Sequence, residues 1–123
     1  MGYNINRYTF FVEVFTIKIV KTAAYQRSLK KLEKKHMDKE TGIVEKVERL
    51  IIKSNNMNEV MLNPLHYTYY IEKKNGNLKE YYTARLNGKI RLFMKPIGDY
   101  PYNLVEITDI EFVEIDDDHY GDG

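Results

Sequence analysis

A chain of 123 residues is long enough for one domain with a modest hydrophobic core. Its apolar runs fall well short of the ~20 residues of a membrane-spanning helix, and the absence of cysteine excludes disulfides and thiolate zinc sites. A cysteine-free domain fits a reducing cytosol, so we expect a cytoplasmic protein. The sequence predicts a single domain over residues 1–123, with residues 1–8 as a leader or an extension.

The net charge of +1 conceals an uneven distribution along the chain. All 19 Lys and Arg residues lie at or before Lys95, and half of the 18 acidic residues follow it. Residues 1–95 therefore carry a net charge of +10 and residues 96–123 a net charge of −9. A basic body can concentrate a polyanion such as RNA, although blocks of charge also serve as solvated surface.

The first predicted elements are a strand and a helix. Phe10–Val20 is rich in Val, Ile and Phe, which is typical of a strand, and Thr22 can cap the helix that follows. One face of this helix forms an apolar stripe of Tyr25, Leu29, Leu32 and His36. The opposite face carries the basic residues Arg27, Lys30, Lys31, Lys34 and Lys35.

A second helix is predicted after a break near Asp38–Gly42, and it completes a helical hairpin. Its apolar side consists of Ile43, Val47, Leu50, Ile51 and Ser54. Four Asn residues and a Pro favour a loop over Asn55–Pro64. The next segment, Tyr67–Glu72, fits either a strand or a short helical turn, and "KKNGN" (Lys73–Asn77) has the composition of a turn.

The stretch "EYYTARLNGKIRLFMK" alternates as two strands around a turn at Asn87-Gly88. A three-residue loop, Leu86-Asn87-Gly88 with Gly88 left-handed, keeps apolar residues on one face. It places Thr83 opposite Arg91 and Arg85 opposite Lys89. The basic face would then contain Arg85, Lys89, Arg91 and Lys95, and the core face Tyr82, Ala84, Leu92 and Met94.

The last predicted strand, "LVEITDIEFVEI", changes phase near Thr108-Asp109, which indicates a bulge there. The order of elements is strand, helix, helix and then three or four mostly antiparallel strands. This order predicts an α+β fold in which both helices pack on one face of the sheet.

The basic face of the hairpin suggests a phosphate site. The guanidinium of Arg is a planar fork that matches phosphate oxygens, and two Arg on neighbouring strands could hold a scissile phosphate and stabilise the charge of its transition state. The alternative is a solvated face balanced by the acids of the last strand.

His119 and Tyr120 would supply proton-transfer groups for such a site. Cleavage of RNA by its own 2′-hydroxyl needs a base, an acid and cations, and His suits either proton role while Tyr can donate a proton or stack on a base. The two residues could also be an ordinary tail. Asp116, Asp117, Asp118, His119 and Asp122 could in principle ligate a hard cation, but consecutive acids in an extended chain point to alternating sides, so we expect no metal.

The tyrosine-then-"ARLNGKIRL" pattern, the basic helical hairpin before it and the closing His-Tyr resemble the RelE/ParE superfamily of type II toxins. Over about residues 15–120, the chain is most similar to the HigB- and YoeB-like branch of ribosome-dependent mRNA interferases. The resemblance implies a RelE-like endoribonuclease (a hydrolase) that needs no metal or other cofactor. It also implies RNA binding, action on mRNA in the ribosome, and neutralisation by a cognate antitoxin.

By position, Arg85 and Arg91 match the two hairpin arginines of that family, which contact and stabilise the scissile phosphate. His119 and Tyr120 match its C-terminal His/Tyr, which assist proton transfer or position the base. Lys79 falls where some relatives place a functional Lys, and Glu80 is a candidate base. We expect Lys79, Lys89 and Lys95 to contact RNA. Two alternatives remain at this stage, namely a ParE-like toxin that inhibits gyrase without cleaving RNA and a non-enzymatic binding module.

Overall fold

A five-stranded mixed sheet forms the centre of the computed structural model, which describes residues 16–117. The spatial order of the strands is β1-β5-β4-β3-β2, in which β1 and β5 are parallel and all other neighbours are antiparallel. The strands are β1 (Lys18–Lys21), β2 (Glu72–Lys73), β3 (Tyr82–Arg85), β4 (Ile90–Pro96) and β5 (Asp109–Asp117). The α+β prediction is confirmed, although the part of the predicted first strand before residue 16 lies outside the described residues.

Two long helices and two short ones connect the first strand to the rest of the sheet. They are α1 (Ala23–Lys34), α2 (Asp38–Ile52), α3 (Met57–Leu62) and α4 (Leu65–Thr68), and a 3₁₀ turn follows at Gly76–Leu78. Thr22 caps α1 as predicted, since its hydroxyl accepts a hydrogen bond from the Tyr25 N–H at 2.9 Å. Within residues 16–117, every helix is too short or too polar to span a bilayer.

The junction between the two long helices differs from the prediction. His36 is exposed and left-handed (φ 56°), so it ends α1 and does not extend the apolar stripe. The Met37 N–H donates to the Leu32 carbonyl and the His36 N–H to that of Glu33, which is the Schellman pattern of a helix C-terminus. The chain re-enters a helix at Asp38, and Gly42 therefore lies inside α2 rather than in the break.

The predicted loop over Asn55–Pro64 is wrong, because it contains α3. The Asn56 side chain accepts a hydrogen bond from the Glu59 N–H at 2.9 Å and so caps this helix. Met57 and Val60 are then fully buried, and their burial stabilises a helix too short to persist alone. The asparagines that suggested a loop mark the ends of a helix instead.

The core lies between the long helices and one face of the sheet. The predicted inward residues of the hairpin, Tyr82, Ala84, Leu92 and Met94, are all buried. Tyr25 of α1 packs edge-to-face on Phe112 of β5, with ring centroids 5.4 Å apart. Burial raises the pKa of Tyr25 to about 12, so this phenol stays neutral in the core.

The bulge in the last strand lies later than predicted. Phe93 pairs with Glu114 but Met94 pairs with Phe112, so Val113 is the extra residue of β5. The phase change at Thr108-Asp109 has another cause, because hydrogen bonds from Glu106 to Asn103 and from Ile107 to Leu104 fold residues 103–107 into a turn. The strand itself begins only at Asp109.

Candidate functional site

The hairpin register places Arg85 directly opposite Arg91 and Thr83 opposite Phe93. The predicted pairs, Arg85 with Lys89 and Thr83 with Arg91, are therefore wrong, although the division into two faces is correct. The loop is one residue further along the chain, because the Leu86 N–H bonds to the Ile90 carbonyl at 3.0 Å. Lys89 consequently lies in the turn and not in a strand.

The Asn87 side chain explains this turn. Its Oδ1 accepts hydrogen bonds of 2.8 Å from the N–H groups of both Lys89 and Ile90. A side chain that closes the turn in this way removes the need for a left-handed glycine. Among the described glycines only Gly76 has a positive φ (63°), so the predicted left-handed Gly88 is wrong.

The side chains on the sheet face opposite the long helices form what we call the arginine face, in which Thr83, Arg91 and Phe93 are buried and the two other members are half-buried. It consists of Thr83 and Arg85 of β3 and Arg91, Phe93 and Lys95 of β4. Like charges directly opposite each other destabilise a strand pair, so the placement of Arg85 opposite Arg91 has a cost. On its other side, Arg91 pairs in register with Asp116 of β5. A second negative group bound beside Arg85 would offset the remaining repulsion.

Arg85 is positioned by the segment after α4. Its backbone N–H donates to the Tyr69 carbonyl at 2.9 Å, and its guanidinium carbon lies 4.1 Å from the centroid of the Tyr70 ring. The Arg85 Nε atom is buried and has no hydrogen-bond partner among residues 16–117, and the same holds for the Thr83 Oγ1 atom two residues earlier. Buried polar atoms are normally satisfied, so these two neighbouring atoms leave hydrogen-bonding capacity unused beside the Arg85 guanidinium.

Arg91 has a different environment. The residue is only 6% exposed, and its Nη1 atom donates to the backbone carbonyls of Asn87 at 2.7 Å and Ile90 at 3.3 Å. The guanidinium is thus anchored to the turn. It adds fixed positive charge beneath the surface on which the more exposed Arg85 guanidinium lies.

The three predicted RNA-binding lysines occupy different places. Lys95 belongs to the arginine face, where its ammonium lies 3.9 Å from a Glu80 carboxylate oxygen and 5.9 Å from the Tyr81 ring centroid. Lys89 is exposed in the turn beside the two arginines. Lys79 lies 5.2 Å from the Tyr100 ring centroid, in a separate cluster with Lys73.

His119 and Tyr120 lie outside the described residues. The last residue of β5, Asp117, pairs with Ile90 at the start of β4, and its neighbour Asp116 pairs with Arg91. The last described residues of β5 therefore lie at the end of the sheet where the two arginines lie. The structure brings Arg85, Arg91 and Lys89 together there.

Sequence reasoning missed the aromatic residues around the arginines. Tyr81 packs edge-to-face on Phe93 at 6.4 Å, and the two rings line a depression of about 210 Å³ with Leu78, Val113 and Glu114. Phe93 has the same strand phase as Arg91, so the alternation could have indicated its position. Tyr70 had no such signal, because its segment fitted two structures equally well.

Asn87 also connects the turn to α2. Its amide donates to a Glu40 carboxylate oxygen at 2.9 Å, and this hydrogen bond is the main cause of a lowered Glu40 pKa. The backbone carbonyl of Asn87 also accepts a hydrogen bond from the Arg91 guanidinium. Asn87 is therefore a positioning residue for the arginine face.

Replacing Asn87 with alanine is expected to lower the free energy of unfolding at neutral pH by about 1–3 kcal/mol, because two N–H groups of the turn lose their acceptor. A lowered carboxyl pKa stabilises the fold above the unfolded value and stops doing so as the pH falls through the folded value. The difference in free energy of unfolding between the variant and the unmodified protein should therefore become smaller below about pH 4. Urea unfolding at several pH values measures this, with Asn77→Ala as an exposed control. Equal stability of all three proteins at neutral pH would contradict the proposed role.

The comparisons with known proteins agree with this architecture. Searches against family models and curated protein sequences give no match. Among solved structures, a mutant of YafQ from E. coli superposes with a TM-score of 0.58 at 19% identity, covering 88% of this chain and 100% of that one. The YafQ chain of the E. coli DinJ-YafQ toxin-antitoxin complex gives 0.57 at 19% identity, covering 86% and 96%. The YoeB/ParE toxin from Agrobacterium tumefaciens superposes with a TM-score of 0.51 at 16% identity, covering 82% of this chain and 98% of that one. The chain therefore shares its fold with these toxins.

Proposed function

We propose that this protein is the toxin of a type II toxin-antitoxin system and an endoribonuclease that cleaves mRNA on the ribosome without a metal. The toxin fold supports the first part, since one similar chain was crystallised in a toxin-antitoxin complex. The observation that carries the nuclease activity is the direct opposition of Arg85 and Arg91, with the Arg85 Nε atom and the Thr83 hydroxyl buried beside them.

The arginine face suits a phosphodiester. Arg85 would bind phosphate oxygens through its planar fork, and Arg91 would add positive charge from its anchored position in the sheet. The negative charge on the phosphate rises when a fifth oxygen attacks phosphorus, so fixed cations stabilise the transition state more than the substrate. This differential effect accelerates the reaction.

The RNA supplies its own nucleophile. The 2′-hydroxyl oxygen forms a bond to the adjacent phosphorus while the bond from phosphorus to the 5′-oxygen breaks, which leaves a 2′,3′-cyclic phosphate and a 5′-hydroxyl. A base accepts the 2′ proton and an acid protonates the leaving oxygen. We assign these proton transfers to His119 and Tyr120, with Glu80 as an alternative base.

The charges on the sheet direct RNA to one side of the arginine face. On β5, Asp116 pairs with Arg91 and Glu111 pairs with Lys95, while Glu114 lies opposite Phe93. This acidic row repels a polyanion from the β5 side. The half-buried Arg85 and the exposed Lys89 lie towards the opposite side, so we place the RNA over β3 and the turn. Lys95 would contact it from β4, whereas Lys79 lies farther along the edge.

Induction of the protein in growing cells is expected to arrest growth and to produce discrete cuts within the codons of translated mRNA, mapped by primer extension. Co-expression of a cognate antitoxin should prevent both effects. Cleavage by the purified protein on programmed ribosomes should persist with excess EDTA. Growth arrest with intact mRNA and inhibited gyrase would contradict this proposal and indicate a ParE-like toxin. If induction causes neither growth arrest nor mRNA cleavage, the protein is a non-enzymatic binding module.

A further inference from the structure

We propose that a groove beside the arginine face holds one unstacked nucleobase of the RNA, with Tyr70 as its stacking platform. This inference rests on the proposed function and adds a base-binding site to it. The groove has a volume of about 540 Å³ and lies between α3, α4 and β2. Its lining includes Met61, His66, Tyr67, Tyr70 and Ile71.

Tyr70 adopts a backbone conformation that favours glycine. Its φ is 49°, and it ends α4 in a Schellman pattern, since the Ile71 N–H donates to the His66 carbonyl at 2.9 Å and the Tyr70 N–H to that of Tyr67 at 3.2 Å. A bulky left-handed residue costs energy that glycine or asparagine would avoid. Tyr70 is nevertheless 53% exposed, so packing in the core does not offset this strain. Strain of this kind concentrates at ligand sites.

The exposed rings form a surface that fits a planar base. Tyr67 is 73% exposed, and its ring lies 3.9 Å from that of His66 at an angle of 37°. Single-stranded RNA is bound by stacking bases on such side chains, because every base has a π-face. The groove thus has both the size and the chemistry for a base removed from its stack.

Arg85 connects the groove to the scissile phosphate. Its guanidinium contacts the Tyr70 ring at 4.1 Å, so a phosphate bound by Arg85 would bring a base of the same or the next nucleotide beside that ring. The charged groups lining the groove are Glu72 and Lys73, whose charges balance. The groove also lies on the β2 side of the sheet, away from the acidic row on β5.

The test is binding of a short RNA with 2′-O-methyl groups, which block cleavage, to the full chain. A matched set of oligonucleotides lacks one base at each position in turn. The protein variants are Tyr70→Asn, which removes the ring but tolerates the left-handed backbone, and Tyr70→Phe, which keeps the ring. Leu62→Ala, an exposed residue that does not line the groove, is the control.

We expect Tyr70→Asn to weaken binding of the intact RNA on the order of tenfold or more. It should have little effect on the one RNA that lacks the stacked base, while Tyr70→Phe and Leu62→Ala should bind all RNAs like the unmodified protein. The inference would be overturned if Tyr70→Asn lost the same amount of binding affinity for every oligonucleotide, or lost none. So would a Tyr70→Asn variant that binds RNA normally but no longer binds the antitoxin.

This test is independent of catalysis. Position-specific coupling between Tyr70 and one base would support the site even if primer extension shows no cuts, in which case the nuclease proposal alone fails. Cuts at unchanged positions in Tyr70→Asn, without coupling in the binding assay, would overturn the base site and leave the nuclease proposal intact.

Discussion

Replacing Arg85 with alanine is expected to lower the rate of mRNA cleavage by about 10²–10³-fold, the usual cost of losing one preorganised group that stabilises developing charge. Arg85 is the more exposed of the two opposed arginines, and its Nε atom has no hydrogen-bond partner among the described residues. The loss should appear mainly in kcat, since the interaction strengthens as charge develops on the phosphate. Single-turnover cleavage of a defined mRNA on programmed ribosomes measures it.

Two controls separate chemistry from folding and from general charge. Arg27→Ala removes an exposed arginine of α1 and should leave the rate within a few-fold of the unmodified value. Arg85→Lys keeps the charge but not the planar fork, so it should recover only part of the activity. The melting temperature of Arg85→Ala should fall little, because removing one of two opposed like charges offsets the lost contact with Tyr70. A folded Arg85→Ala variant with full activity would exclude Arg85 from the mechanism.

The hairpin shows how much of the site the sequence could predict. Alternation separated the faces of the two strands correctly, because a side chain that changed face would move from core to solvent. Alternation cannot distinguish registers that differ by a whole residue pair, since both keep the same faces. The Asn87 side chain favours the observed register, because it accepts two backbone hydrogen bonds in the turn. The prediction that the arginines share a face was therefore correct, while their direct opposition was not foreseen.

Local composition failed where tertiary packing decides the structure. The asparagine-rich segment that suggested a loop forms α3, because Met57 and Val60 are buried against the core. Tyr70, the residue proposed to stack on a base, is left-handed at the end of a helix of only four residues, a position where glycine is expected. Residues of this kind break a local rule, and such departures are expected at functional sites.

The register of the last described residues of β5 supports the proposed catalytic role of His119. Asp116 pairs with Arg91 and Asp117 with Ile90, so the strand reaches the arginine pair with its last described residues. His119 follows Asp117 by two residues, and two residues span at most about 7 Å. The chain length therefore allows the imidazole to act at a phosphate bound by Arg85.

Replacing His119 with alanine is expected to lower the cleavage rate by about 10²–10⁴-fold, the contribution of a positioned acid or base. Free imidazole in the buffer should restore part of the rate to His119→Ala and none to Arg85→Ala, because the first variant lacks a proton carrier and the second lacks a cation. His36→Ala, which removes an exposed histidine at the end of α1, should retain full activity. Unchanged cleavage by His119→Ala, or imidazole rescue of both variants alike, would remove His119 from proton transfer and leave Tyr120 or Glu80 to be tested in its place.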